Sequence, residues 1–496
     1  MTKSSKKPSV GKSVSQSAAT TVQEATLAFL KDAGMTTVFG NPGSTELPMF
    51  RTWPDEFRYV LGLQEATVVS MADGYAQVTR NAACVNLHSA AGVGNALGAI
   101  YTAWKNNAPM VITAGQQARS LLPYDPFLGA AYPTEFPKPY VKYAVEPARP
   151  EDVPAALARA YAIAMSAPQG PAFVSVPVVD WDAPAEPVAP RTIEGAPVPA
   201  PDALEELGRR LDAAKKPVFV VGPELDRAGA FDTVPALAER YEAPVWASPM
   251  ASRASFPETH RLFAGHLRAQ REAVHDSLAG FDLIVVLGAP AFTIHIHTDG
   301  PRAPEADIVQ IVADPQVGAF TPKGLTVVGD VKAGIEGLLA RPAKGSKRAP
   351  GQGRDPIELA PAADPIPIPH LIDVLAAVRP QDTVIFEEAP SARPPLQARL
   401  PITRPDSFFA TQLPGSSGDS SWATRSLPLA TMPCPSRNRS GRMPLKTTGT
   451  VSRLSVRTKD TSMSPGARST LPLTTSPPTR KRRFSGGSPA ATWVGL

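Results

Sequence analysis

Two rhythms alternate along this chain: short apolar runs of four or five residues, and longer stretches in which apolar positions return every three or four residues. The first is the rhythm of buried strands and the second that of helices packed by one face. In residues 21–183, Ala25, Phe29 and Leu30 share one face of a helix expected over 23–33 and stopped by Gly34. A strand over 36–39 leads into the turn Gly40-Asn41-Pro42-Gly43-Ser44. A strand ending at Glu65, a helix through Val68, Met71 and Tyr75, and a strand over 84–88 follow. Gly92 and Gly94 then open a helix through Leu97, Ile100 and Trp104, and 110–113 and 172–176 read as further buried strands. Residues 202–340 repeat the alternation, with strands over 218–221, 283–287 and 308–312. Residues 368–412 begin a third block, with a helix over 370–378 and strands over 383–386 and 407–410. The Pro- and Ala-rich stretches 184–201 and 341–367 read as extended linkers. Strands alternating with helices predict an α/β protein of successive doubly wound parallel-sheet domains.

The rhythm stops at about Gln412. Residues 413–496 contain no Glu, Ile, Tyr or His, and hold 37 Ser, Thr and Pro. Their 13 Lys and Arg against two acids, Asp419 and Asp460, make +11; the other 37 basic and 43 acidic residues make −6. The basic character of the chain thus belongs to this tail, and the body is acidic. The tail lacks aromatic interleaving and any nucleic-acid module, so no specific nucleic-acid partner is expected. Residues 1–20 and 413–496 are too polar and Pro/Ser-rich to offset chain entropy, and disorder is the expectation for both. Two cysteines, Cys84 and Cys434, in no metal or redox spacing point to a reducing, cytoplasmic setting. No run nears the ~20 apolar residues of a membrane span, and the first 20 residues lack the apolar core of a signal peptide.

Ligands of open α/β sheets bind beyond the carboxyl ends of strands. Asn41-Pro42-Gly43-Ser44, Glu65 and His88-Ser89 all stand at such ends. Taken singly each has a plainer reading: a turn, an acid favoured at a helix start, and a hydrogen-bonded core histidine. Gly92-x-Gly94 lacks the third glycine of a dinucleotide fingerprint and fits close helix–strand packing. His295 and His297 form a His-x-His pair without further ligands nearby, so no metal is expected there.

The order of the motifs is more specific than any one of them. Val38-Phe39-Gly40-Asn41-Pro42-Gly43-Ser44, Leu63-Gln64-Glu65-Ala66, Ala72-Asp73-Gly74-Tyr75-Ala76, Asn86-Leu87-His88-Ser89-Ala90-Ala91-Gly92, Thr113-Ala114-Gly115-Gln116-Gln117 and Ala167-Pro168-Gln169-Gly170-Pro171 succeed one another. Gly288-Ala289-Pro290-Ala291-Phe292 then precedes His295. Over about residues 20–412 the chain resembles the thiamine-diphosphate-dependent enzymes, and among them the benzoylformate decarboxylase branch. The resemblance implies a thiamine-diphosphate-binding fold: a pyrimidine-binding domain, a central Rossmann-like domain and the start of a diphosphate-binding domain. It implies that Glu65 hydrogen-bonds the aminopyrimidine ring, that Asn41, Pro42, Gly43 and Ser391 border the cofactor, that Ser44 holds the substrate carboxylate, and that His88 and His295 transfer protons. It implies decarboxylation of a small 2-oxo acid, benzoylformate or a close aryl analogue, in a homodimer or homotetramer whose cofactor lies between domains of two subunits. An acetolactate-synthase-like carboligase and a half-enzyme that only associates are the alternatives.

In the family, a Gly-Asp-Gly motif and a later Asn-Asn pair hold Mg²⁺ and the diphosphate, the hard ion needing oxygen ligands. Neither stands where the pattern requires. Gly329-Asp330-Val331 lacks the second glycine and lies in the second block, Asn106-Asn107 lies on a first-block helix, and Pro390 replaces a small hydroxyl residue beside Ser391. No metal-binding residue is therefore assigned, and weak cofactor binding and little activity are expected of the chain alone. The abrupt change after Thr411 points to a shifted reading frame, with a natural extension as the alternative.

Overall fold

A computed structural model describes residues 20–410, except 192, 194–196, 302, 343–350, 352 and 390. The expectations for the leader up to residue 19, the tail 413–496 and Pro390 fall outside the described residues.

The first unit contains α1 (Val22–Asp32), β1 (Thr37–Asn41), β2 (Arg58–Leu61), α2 (Glu65–Thr79), β3 (Ala83–Leu87), α3 (Ser89–Lys105), β4 (Met110–Gln116), β5 (Ala144–Val145), α4 (Val153–Met165) and β6 (Pro171–Pro177). Its six strands lie in the order β2-β1-β3-β4-β6-β5, all parallel. Strands β3, β4 and β6 are buried at every residue because helices cover both faces, which is why they read as unbroken apolar runs. Helix α1 starts where a capping box allows: Thr21 Oγ1 accepts from the Glu24 N–H, and Glu24 accepts from the Thr21 N–H at 2.8 Å.

The second unit contains α5 (Pro201–Ala213), β7 (Pro217–Val221), α6 (Glu224–Arg227), α7 (Val234–Tyr241), β8 (Val245–Ala247), β9 (Phe263–His266), α8 (Arg271–Ser277), β10 (Leu283–Leu287), β11 (Asp307–Val312), α9 (Pro315–Ala319), β12 (Leu325–Val328) and α10 (Val331–Ala340). Its sheet runs β12-β11-β10-β7-β8-β9, again parallel. In the third, α11 (Ile368–Val378), β13 (Ile385–Glu387), α12 (Arg393–Arg399) and β14 (Phe408–Ala410) build a two-stranded parallel sheet. Such a pair is too small to stand alone. It leans on the second unit through Ile372, Leu396, Leu400 and Phe408, which pack with Phe231 and Ala254.

Two local expectations are corrected. The strand expected to reach Glu65 ends at Leu61, and Glu65 is the first residue of α2. The Gln64 side chain accepts from the Thr67 N–H and caps the helix there. Helix α3 starts at Ser89, ahead of Gly92. The two motifs set aside as metal decoys have structural uses. Asp330 caps α10 by accepting from Ala333 N–H at 2.7 Å. Asn106, which ends α3, donates to Asp73 at 2.8 Å.

A buried polar network joins the three units. Arg253 pairs with Asp226 at 2.7 Å, their side chains 1% and 0% exposed. It also donates to Gln77 on α2 (2.9 Å) and to Asp406 (2.5 Å), while Arg80 reaches Asp406 at 2.6 Å and the Arg227 carbonyl at 2.7 Å. Gln77 in turn donates to Asp73 at 2.7 Å. Burial pushes the Asp73 carboxyl up to about 6, against the donors Asn106 and Gln77 and the charge of Arg253. An aspartate in the unfolded chain titrates near 4. The folded state therefore holds an extra proton between about pH 4 and 6, so stability falls as pH rises through that window, and the ionised group carries a constant cost above it. Asp73→Asn should raise the melting temperature relative to the parent by more at pH 7 than at pH 4. An advantage that does not change between these pH values in paired calorimetric scans would contradict the buried-acid account.

Candidate active site

The first sheet reverses its strand order at β1, with β2 on one side and β3 on the other. This topological switch point opens a crevice beyond the strand ends, where Asn41 of β1 stands level with Leu87 of β3. The chain leaves β1 through Pro42, Gly43 and Ser44, and leaves β3 through His88.

Glu65 is 7% exposed. Asn41 Nδ2 donates to its Oε1 at 3.0 Å and Asn95 Nδ2 to its Oε2 at 3.1 Å. Its place at the start of α2 supplies favourable helix-dipole charge as well. The plain helix-start reading and the functional one thus describe the same buried carboxylate. Gly92 lies against it: a Cβ there would sit 3.5 Å from Glu65 Cγ.

His88 rests on a second carboxylate. Its Nδ1 lies 2.7 Å from Glu46 Oε2. Glu46 is 1% exposed and also accepts from Gly43 N–H (2.7 Å), Thr45 Oγ1 (2.6 Å) and Gly115 N–H (2.8 Å). A carboxylate at Nδ1 favours the proton on that nitrogen and leaves Nε2 for another partner. Gly43 is required by space: a Cβ there would lie 2.3 Å from the His88 ring.

The structure thus brings Asn41, Pro42, Gly43, Ser44, Glu65 and His88 to one crevice, with Ser44 exposed on the turn. His295 lies in the second unit, exposed on the connection after β10, its N–H donating to the Ala269 carbonyl at 2.9 Å. Ser391 is exposed in the turn before α12. Among the described residues no hydrogen bond or ion pair joins His295 or Ser391 to Glu65 or His88. Sequence reading missed Glu46 and Asn95. Glu46 stands two residues beyond Ser44 and could have been sought as the partner a strand-end histidine needs. Asn95 lies seven residues beyond His88, two turns along the same helical face.

Comparison with known proteins settles the ancestry. Residues 20–135 match the model of the thiamine pyrophosphate enzyme N-terminal TPP-binding domain, and residues 204–338 that of the central domain of the same enzymes. A benzoylformate decarboxylase of Pseudomonas aeruginosa is 41% identical over 394 residues, 78% of this chain and 75% of the relative. The chain belongs to the thiamine pyrophosphate enzymes. Among solved structures, benzoylformate decarboxylase from Polynucleobacter necessarius matches with TM-score 0.78 and 40% identity over 80% of this chain and 75% of that one. The 4-hydroxybenzoylformate decarboxylase of Rhodococcus jostii matches with TM-score 0.76 and 36% identity over 82% and 79%.

The donor set of the crevice fits the pyrimidine end of the family's cofactor. A buried carboxyl group, oriented by two amides that donate to it, can share a proton with a ring nitrogen. Among the described residues no three His, Cys, Asp or Glu side chains are grouped to hold a metal ion. No described helix is long and apolar enough to cross a membrane.

Proposed function

We propose that this chain is the substrate-handling part of a 2-oxo-acid decarboxylase acting on benzoylformate or a close aryl analogue. The observation that carries the reading is the pairing, at one switch point, of a buried Glu65 held by Asn41 and Asn95 with a His88 held by Glu46. The names of its relatives support the substrate class. Benzoylformate and one proton yield benzaldehyde and carbon dioxide. When bound, thiamine diphosphate supplies the electron sink that lets carbon dioxide leave. Glu65 orients the pyrimidine ring and exchanges a proton with a ring nitrogen. Ser44 offers its hydroxyl to the substrate carboxylate. His88, steadied through Nδ1, moves a proton at the substrate's carbonyl group through Nε2. His295 is the second proton-transfer candidate. Ser391 stands at the diphosphate position of this chain's own third block, whereas in the mixed dimer or tetramer, in the cytoplasm, the diphosphate and Mg²⁺ that face Glu65 are held by the partner subunit.

The test is complementation. The chain is co-expressed with a full-length benzoylformate decarboxylase whose own pyrimidine-binding glutamate has been replaced by alanine. Mixed oligomers should turn over benzoylformate, while neither chain alone does so. Co-purifying but inactive oligomers would defeat the proposal and favour a chain that only associates.

A further inference from the structure

Beside the crevice two residues with a Cβ hold left-handed backbone, Ser89 at φ 48° and Leu128 at φ 63°. Residues other than glycine persist in that region only where their surroundings fix them. An ordinary helix start needs no such backbone, so the opening of α3 at Ser89 calls for a cause. The two strained residues are bonded to each other: Ser89 Oγ donates to the Leu128 carbonyl at 2.5 Å. The Ser89 N–H faces Glu46 Oε1 at 3.3 Å, on the carboxylate that holds His88. From the other side, Gln116 Nε2 donates to the Ala130 carbonyl (2.8 Å) and Gln116 Oε1 accepts from Ala130 N–H (3.0 Å). Gln117 Nε2 donates to the Phe127 carbonyl at 2.8 Å. Ser89, 2% exposed, therefore stands between two bonded groups: Glu46 with its imidazole, and segment 127–130, which carries the 86% exposed ring of Phe127.

We propose that Ser89 is a positioning residue that clasps segment 127–130 to the Glu46–His88 pair, so that the imidazole and the exposed apolar segment keep one fixed register. Its meaning in turnover rests on the proton-transfer role proposed for His88, but its test does not.

The full chain is compared with Ser89→Ala, which keeps a Cβ on left-handed backbone and removes the clasp, and with Ser89→Gly, which removes the clasp and relieves the backbone. Amide hydrogens of residues 128–130 should exchange several-fold to about tenfold faster in both variants, the effect of one lost hydrogen bond. Amides of β3 and β4 should be unchanged. In chains labelled with ¹⁵N-histidine, the His88 imidazole signals, identified by their loss in His88→Gln, should shift or broaden in both variants. Unchanged exchange at 128–130, or faster exchange with unmoved His88 signals, would overturn the proposal. Should Ser89→Ala fail to fold, Ser89→Gly carries the test. Neither readout uses turnover, so a failed complementation assay leaves the clasp standing, and unmoved signals remove the clasp even where complementation succeeds.

Discussion

Glu65→Gln, introduced into this chain in the mixed oligomer with a glutamate-deficient full-length partner, should lower the turnover number by at least about a thousandfold, within the span that a positioned proton-transfer group supplies. Glutamine keeps the length and nearly the volume of the side chain, so packing against Gly92 survives. What it loses is the ability to exchange a proton with a ring nitrogen. Asn41 and Asn95 both donate to the carboxylate, one to each oxygen. Glutamine offers only one oxygen, so one of these amides must turn its own oxygen toward the new NH₂ group, at a cost of about 1 kcal/mol or less. The melting temperature should therefore shift by only a few degrees while activity disappears. Steady-state assays with benzoylformate, paired with calorimetric melting, separate the two effects. A turnover number within a factor of about three of the parent would remove Glu65 from its assigned place.

The parts of this fold that were legible in the sequence are those where one physical constraint acts alone. Strands β3, β4, β7, β10 and β11 are covered on both faces or nearly so, and an apolar run suffices to place them. Short strands such as β8, and the seven-residue α12, lack enough periodicity to declare themselves. The strand-end rule nominates Asn41 and His88 because it depends only on where apolar runs stop; it nominates Glu65 from a strand that in fact ends at Leu61. It could not find Asn95, which comes from a helix 30 residues beyond Glu65 and meets it only once β1, β2 and β3 lie side by side. Glu46 reads as a solvated turn acid, yet the turn folds inward and buries it beneath Gly43 and His88. Arg253, Asp226 and Asp406 lie far apart in the chain, and nothing local marks them as one network. His295 is nominated by a motif, and the structure places it on an exposed connection of the second unit.

The 496-residue chain by itself should bind Mg²⁺-thiamine diphosphate with a dissociation constant weaker than about 1 mM, corresponding to no more than about 4 kcal/mol of binding. In the proposed reading the crevice offers the cofactor only Glu65 and its two amides, at the pyrimidine end. Diphosphate recognition needs charge neutralisation by the metal and backbone N–H groups at a helix start. The sequence contains no Gly-Asp-Gly, Asp330 is committed to capping α10, and Asn106 to holding Asp73. Each absent charge-assisted contact forfeits roughly 1.5–3 kcal/mol, so three or four of them remove several orders of magnitude in affinity. The +11 charge of residues 413–496 introduces a competing effect, because basic side chains attract any diphosphate. That attraction is screened once the Debye length shrinks to about 3 Å near 1 M salt, whereas a metal-bridged site resists screening. Calorimetric titration at low and high salt, with and without Mg²⁺, distinguishes the two. Weak heat that vanishes with salt and ignores Mg²⁺ is the expected result. Tight, Mg²⁺-dependent and salt-resistant binding by the chain alone would mean that it carries a complete cofactor site, and that the dependence on a partner subunit is wrong.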